Sequence, residues 1–109
     1  MQNKVKIFNQ EKSCHKKTMP VYARLLDIQS ELGELAKEYL KHSKYGTNSF
    51  EMNEDFLLEY GDVLYCMLSL ANELNIDSSK CLDMVIDKYK SRIEKNNSMS
   101  SEKTIKMGK

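Results

Sequence analysis

The chain has 109 residues, which is enough for one domain, and its 40% apolar and 30% charged residues are typical of a soluble globular protein without a bilayer-spanning run. Its net charge of +1 is divided into +4 for residues 1–18, −7 for residues 19–77 and +4 for residues 78–109. This acidic centre argues against nucleic-acid binding by the core, because a phosphate backbone needs a basic surface.

Both ends of the chain are predicted to be flexible, and the part between them is predicted to fold. Residues 1–17 are rich in Lys and Asn and are predicted to be a flexible basic N-terminal segment. Residues 96–109 are rich in Ser, Lys and Met and are predicted to be a flexible polar C-terminal tail. Residues 18–95 are predicted to form one all-α domain, a helical bundle of three main helices that oligomerisation completes.

The first of these helices is predicted from near Thr18 to about His42. Thr18 has the side chain of an N-cap, and Pro20 is tolerated in the opening turn because its missing N–H has no helical partner there. Apolar residues at intervals of three and four define a core-facing stripe: Val21, Leu25, Ile28, Leu32, Leu35, Ala36 and Tyr39. Acids form a second stripe beside it: Asp27, Glu31, Glu34 and Glu38. A loop with Gly46 follows at residues 43–49.

The second helix is predicted to begin after Asn53 as its N-cap, with acids in the first turn where the helix dipole favours them. Apolar residues cover nearly all of its sides, so we expect it to be buried together with Glu59 and Asp62. The third helix is predicted from Asp77 or Ser78 to about Lys95, with these core residues: Leu82, Val85, Ile86, Tyr89 and Ile93.

Cysteine and histidine give no sign of a disulfide framework or a zinc site. Cys14, Cys66 and Cys81 are odd in number and form no Cys-x-x-Cys pair, so reduced thiols are expected. His15 and His42 are isolated in the sequence, which favours surface positions over ligand roles. The first residues lack an apolar stretch of the length that a secretion signal needs, so we expect a cytoplasmic protein.

The first and second predicted helices each contain a short acidic motif, which we call the acidic words: Glu31-Leu-Gly-Glu34 and Glu59-Tyr-Gly-Asp62. Residues three apart share one face of a helix, so each word projects a pair of carboxylates. Most acidic stripes are solvated helix faces, and this remains the alternative interpretation. An acid on an otherwise apolar helix must be paired, protonated or bound to a metal, however, and few bases are present on these helices. The pattern therefore favours a carboxylate cage for Mg²⁺.

Such a cage suits phosphate chemistry, because Mg²⁺ binds few protein carboxylates and completes its shell with waters and substrate phosphates. Basic residues of the third helix, Lys88, Arg92 and Lys95, have the charge to meet the outer phosphates. Their alternative interpretation is an exposed basic edge near a helix C-terminus. No Gly-rich phosphate loop of the Walker or dinucleotide kind is present in the sequence.

The two acidic words, their apolar context and the segment Leu70-Ala-Asn-Glu-Leu-Asn-Ile-Asp77 together resemble the MazG-like nucleotide pyrophosphohydrolases of the all-α NTP pyrophosphatase superfamily. The resemblance covers about residues 19–95. It implies Mg²⁺-dependent hydrolysis of (d)NTPs to the monophosphate and pyrophosphate, a nucleotide-pool housekeeping activity in which Mn²⁺ can replace Mg²⁺. It also implies dimers or tetramers, with these residues as metal ligands and catalytic groups: Glu31, Glu34, Glu59 and Asp62. Lys88 and Arg92 are the implied phosphate contacts.

Two other interpretations remain open at this point. Phosphoribosyl-ATP pyrophosphohydrolase belongs to the same superfamily and uses a similar acid pattern, so product analysis would separate the two enzymes. A non-catalytic helical regulator that oligomerises, and keeps the bundle without turnover, belongs to a different functional class. A nucleoside triphosphate is thus the expected partner, together with further copies of the chain, and no membrane or nucleic acid is expected.

Overall fold

The computed structural model describes residues 1–12 and 20–96. In these ranges the chain forms four helices and no strand: α1 (Gln2–Lys12), α2 (Val21–Lys41), α3 (Glu54–Glu73) and α4 (Ser78–Asn96). The all-α prediction is confirmed, but the prediction of three main helices missed α1. The chain divides into two compact units, one of residues 1–76 with α1, α2 and α3, and one that begins at Asp77 and contains α4.

α2 and α3 lie side by side and run in opposite directions. Arg24 near the start of α2 forms an ion pair of 2.8 Å with Glu73 at the end of α3. At the other end of the pair, Glu38 of α2 lies close to Asp55 in the first turn of α3. The two helices are therefore antiparallel, as expected for neighbours joined by a short connection.

α1 occupies part of the segment that the sequence predicted to be flexible, and it packs on α3. Val5 is buried, and the Phe8 ring meets the Tyr65 ring edge to face with 6.1 Å between centroids. The Asn9 amide donates a hydrogen bond of 3.1 Å to Ser69 Oγ and accepts one from the Tyr65 hydroxyl. Both apolar and polar side chains thus dock this helix, and its apolar residues are too few for a search for periodicity to detect. The domain limits at residues 17–18 and 95–96 stay predictions.

The predicted helix ends are largely confirmed where the structure describes them. The Asn53 side chain caps α3 by accepting a hydrogen bond of 2.9 Å from Phe56 N–H. The Asp77 carboxylate accepts one of 3.2 Å from Lys80 N–H at the start of α4. His42 is the C-cap of α2. Pro20, and not Thr18, is the N-cap of α2, and Thr18 lies outside the described residues.

The predicted loop after α2 is a tight turn. Gly46 has a φ of +89°, in the left-handed region that favours glycine, and it follows two residues that also have positive φ, Lys44 and Tyr45. The Gly46 N–H donates to the buried Ser43 hydroxyl at 3.3 Å. The turn therefore ends α2 and redirects the chain.

The prediction that α3 is buried along its whole length is wrong. All of its buried residues lie in its C-terminal half, whereas three large side chains of its N-terminal half are exposed: Leu57, Leu58 and Tyr60. The reason is that the observed contacts of α1 are with the C-terminal half of α3, through Tyr65, Ser69 and Asn72. Consequently Glu59 is half-buried and Asp62 is exposed.

None of the residues of α4 is buried, including those of its apolar stripe. The exposed large side chains on this helix are Leu82, Met84, Val85, Ile86, Tyr89 and Ile93. Neither α4 nor any other helix in residues 1–12 and 20–96 combines the length and hydrophobicity needed to cross a membrane.

Candidate metal centre

Three of the four predicted acidic ligands come together between α2 and α3. A carboxylate oxygen of each of Glu31, Glu59 and Asp62 lies within 4.8 Å of the others. Glu59 and Asp62 share one face of α3 because they are three residues apart, and the antiparallel packing brings Glu31 of α2 opposite them. Glu34 is exposed and lies outside this group. We call Glu31, Glu59 and Asp62 the acidic triad.

The negative charges in this region disfavour one another's ionisation. Burial raises the pKa of Glu31, and the charges of Asp62, Asp27 and Glu34 raise it further. Burial also raises the pKa of Glu59, followed by the charges of Asp62, Glu31, Glu34 and Glu38. Glu34 is therefore close enough to act on the triad electrostatically, although none of its atoms belongs to it.

No base in the described residues pairs with the acidic triad or with Glu34. The Arg24 guanidinium is engaged by Glu73, and Lys41 lies 3.9 Å from Glu38. Burial alone would lower the pKa of Arg24, but its hydrogen bond to Glu73 and the Glu73 charge outweigh burial, so the pKa is raised. The uncompensated charge of the triad is thus available to a cation from solution.

The donor set fits Mg²⁺. All three groups offer carboxylate oxygens, the hard ligands that Mg²⁺ prefers, and they come from two rigid helices. Exposure of Asp62 leaves one side open to solvent and to a phosphate-bearing ligand. The residues present can therefore hold the ion that the sequence predicted.

The predicted phosphate contacts lie on α4, in the second unit. Lys88 and Arg92 are one turn apart, and their cationic groups lie 5.7 and 5.9 Å from the centroid of the Tyr89 ring. Both distances are within the range of a cation–π contact. Their role in binding phosphate stays a prediction.

The contact that His42 makes was not predicted, and its surface position is met only in part. His42 is half-buried, and its Nε2 lies 3.3 Å from Glu38 Oε1. The sequence contains a signal for this contact, because Glu38 and His42 are four residues apart and therefore share a helix face. Their third neighbour, Asp55, comes from α3 and could be found only once the helix pairing was known.

The acidic triad should destabilise the metal-free protein, which Glu59→Gln tests. Because the fold raises the pKa of Glu59, the folded chain holds a proton more tightly than the unfolded chain. The contribution of Glu59 to stability should therefore be most favourable at and below the ordinary glutamate value of 4.5, and be lost as the pH rises through the raised pKa. A neutral amide removes this repulsion, so Glu59→Gln should raise the Tm in EDTA at pH 7.

The matched control for this substitution is Glu54→Gln, which removes an exposed charge from the first turn of the same helix. That acid is favourable to the helix dipole, so its loss should leave the Tm unchanged or lower it slightly. Thermal melts followed by circular dichroism compare the two variants with the wild type. A lower Tm for Glu59→Gln than for the wild type in EDTA would show that the triad is not under electrostatic strain.

Comparisons with known proteins give a family for the chain. A family model described as dUTPase matches residues 1–107. A Bacillus subtilis (strain 168) protein, named Uncharacterized protein YpjD, is 36% identical over 73 residues. That match covers 64% of this chain and 64% of the relative, so the chain spans less than two thirds of the relative's length. No solved structure matches the chain.

The dUTPase match contradicts the resemblance to MazG-like proteins, and that identification is wrong. Glu-x-x-Glu and Glu-x-x-Asp report the spacing of carboxylates on helices, and spacing alone does not identify a family. The kind of activity that was predicted, hydrolysis of a phosphoric anhydride bond in a nucleotide, is consistent with the dUTPase family.

Proposed function

The chain belongs to the dUTPase family, and from this premise we propose that it is a Mg²⁺-dependent pyrophosphohydrolase of deoxynucleoside triphosphates, with dUTP as the first candidate substrate. The products are the nucleoside monophosphate and pyrophosphate, and the role is housekeeping of the nucleotide pool. The observation that carries the proposal is the acidic triad, in which Glu31, Glu59 and Asp62 place carboxylate oxygens within 4.8 Å of one another.

The triad residues hold the ion in this proposal, and the exposed side of Asp62 admits the triphosphate. When bound, Mg²⁺ supplies neutralising charge at the phosphate oxygens and eases the ionisation of water, and Mn²⁺ offers the same chemistry. The reaction adds water across the anhydride bond between the α and β phosphates. The water oxygen forms one new bond to phosphorus, and the bridging oxygen leaves with the other product.

Glu34 is the carboxylate that we assign to the proton of the attacking water. It lies one helical turn from Glu31, it is exposed, and it is not a member of the triad, so a bound ion does not saturate its oxygens. The assignment is supported by the charge of Glu34, which raises the pKa of Glu31 and of Glu59. Lys88 and Arg92 are proposed as phosphate contacts on their charge alone, which complements that of a triphosphate.

We assign a homo-oligomer, a dimer or a tetramer, to the active form. The support is the exposed apolar surface on both units. Proteins that are stable as monomers rarely expose large apolar patches, so such patches indicate interaction sites. On the first unit the exposed residues include Leu25, Leu26, Leu57 and Leu58, and on α4 they form a stripe along the helix. Sedimentation of the full chain measures the state directly.

The proposal is tested with the full chain and a panel of nucleotides: dUTP, dTTP, dCTP and UTP. We expect release of pyrophosphate and dUMP from dUTP in Mg²⁺ and none in EDTA, with slower release from the other three. Pyrophosphate release from none of the nucleotides, in a protein whose Tm Mg²⁺ raises, would overturn the proposal in favour of a non-catalytic metal-binding regulator.

A further inference from the structure

A second group of potential ligands lies at the corner where α2 ends and α3 begins. One ligand atom of each of Glu38, His42 and Asp55 lies within 4.8 Å of the other two. We propose that these three residues form a binding site for a divalent transition-metal ion of the Zn²⁺ class, separate from the acidic triad. We call Glu38, His42 and Asp55 the corner site.

The fold positions these side chains firmly. Glu38 and His42 are one turn apart on the last part of α2, and the returning chain places Asp55 in the first turn of α3. Next to them, the Tyr39 and Phe50 rings stack at 4.6 Å between centroids and 15° between planes. Phe56 packs edge to face on Phe50 at 4.9 Å. Through these ring contacts the loop residue Phe50 packs against both helices, which restricts the movement of the end of α2 relative to the start of α3.

Two polar atoms of the corner site lack hydrogen-bond partners. Glu38 Oε1 and His42 Nε2 are shielded from solvent, although their side chains are 17% and 30% exposed, and neither atom makes a hydrogen bond in the described part of the chain. Lys41 lies near Glu38, but its Nζ approaches the other oxygen, Oε2, at 3.9 Å. An unsatisfied buried polar atom is costly, and these two atoms have only each other as a close polar neighbour, so a cation held between them would satisfy both.

The spacing of the two atoms suits a tetrahedral ion. Glu38 Oε1 and His42 Nε2 are 3.3 Å apart. In a tetrahedral zinc site, metal–ligand bonds of about 2.0–2.1 Å place two ligand atoms about 3.3 Å apart. Asp55 is exposed, so its carboxylate can turn toward the same point and supply a third ligand, leaving the fourth position to water.

The ligand types separate the corner site from the acidic triad. Imidazole nitrogen suits Zn²⁺ and similar transition metals, whereas the all-carboxylate triad suits Mg²⁺. An ion at the corner site would join the end of α2 to the start of α3 and stabilise the turn between them by binding only the folded chain. The other explanation of the contact is an ion pair between protonated His42 and Glu38, with no metal.

The test uses the two imidazole rings of the chain as reporters. ¹⁵N-detected histidine spectra of the full chain are recorded in millimolar Mg²⁺, which occupies the acidic triad, while Zn²⁺ is added. We expect one imidazole to shift at one equivalent of Zn²⁺, and the shifted signal to be absent in His42→Ala. In calorimetry His42→Ala and Asp55→Asn should each weaken Zn²⁺ binding at least about tenfold.

Two controls keep the result specific. His15→Ala removes the other histidine and should leave Zn²⁺ binding unchanged. Asp62→Asn should also leave it unchanged, so a failure of the proposed hydrolase function does not affect this test. Co²⁺ in place of Zn²⁺ should give the visible absorption of four-coordinate cobalt without a thiolate charge-transfer band, which excludes the cysteines. Equal Zn²⁺ affinity in His42→Ala and the wild type, or no shift of the His42 ring, would overturn the proposal and leave the ion pair as the explanation.

Discussion

Replacing Asp62 by asparagine is expected to lower the rate of pyrophosphate release from dUTP about 100-fold or more at a fixed low concentration of Mg²⁺. The substitution keeps the size of the side chain but removes one of the three charges that hold the ion in our proposal. Because the loss is one of metal affinity, raising the Mg²⁺ concentration should restore part of the rate. The rate is measured as a function of Mg²⁺ for the wild type and the variant.

The control for Asp62→Asn is Glu54→Gln, which removes one negative charge from the same helix outside the triad. It should keep at least half of the wild-type rate with the same dependence on Mg²⁺. The helical signal in circular dichroism should be equal in all three proteins, because Asp62 is exposed and supports no packing. Full activity of Asp62→Asn at low Mg²⁺ would rule out the triad as the metal centre of this enzyme.

Glu34→Gln extends the same experiment to the division of work among the acids. If Glu34 accepts a proton and does not bind the ion, the variant should lose most of its kcat while its dependence on Mg²⁺ stays that of the wild type. Asp62→Asn should show the opposite combination, a strong shift in the Mg²⁺ dependence. A shift of similar size in both variants would make Glu34 a fourth ligand.

Much of the acidic triad could be predicted from the sequence because its geometry is mostly local. The spacing of three residues fixes Glu59 and Asp62 on one face of α3 without reference to the rest of the fold. The connection of residues 42–53 between α2 and α3 permits antiparallel packing, which the structure has and which brings Glu31 opposite them. The sequence could not separate Glu34 from the other acids, because that difference depends on the exact facing of α2 toward α3.

The features that the sequence missed depend on contacts between distant segments. α1 docks through the hydrogen bonds of Asn9 with Tyr65 and Ser69, and a lone polar residue in a Lys-rich segment gives no periodic signal. The corner site needs Asp55, whose approach to His42 follows only from the helix pairing. The apolar residues on nearly all sides of α3 predict that its surface is covered, but they do not say whether this chain or another copy covers it.

The ion pair between Arg24 and Glu73 gives the largest stability effect that we expect in this protein. Arg24→Met should lower the free energy of unfolding by about 2–3 kcal/mol, because it leaves the Glu73 carboxylate half-buried without a counter-charge. The two side chains are only 13% and 20% exposed, and the Arg24 Nη2 donates to Glu73 Oε2 at 2.8 Å. Glu73 Oε1 has no hydrogen-bond partner in the described residues, so no second contact of this carboxylate would compensate for the loss of Arg24.

The double variant Arg24→Met with Glu73→Leu separates two contributions to the free energy of unfolding. One is the cost of leaving the Glu73 charge unpaired, and the other is the net stabilisation by the ion pair. Replacing both partners by apolar residues removes the buried charge altogether, so it should recover most of the stability that Arg24→Met loses. Urea unfolding of the wild type, both single variants and the double variant provides the cycle. If the double variant is no more stable than Arg24→Met alone, the loss comes from the packing of the arginine stem between α2 and α3 and not from the stranded carboxylate.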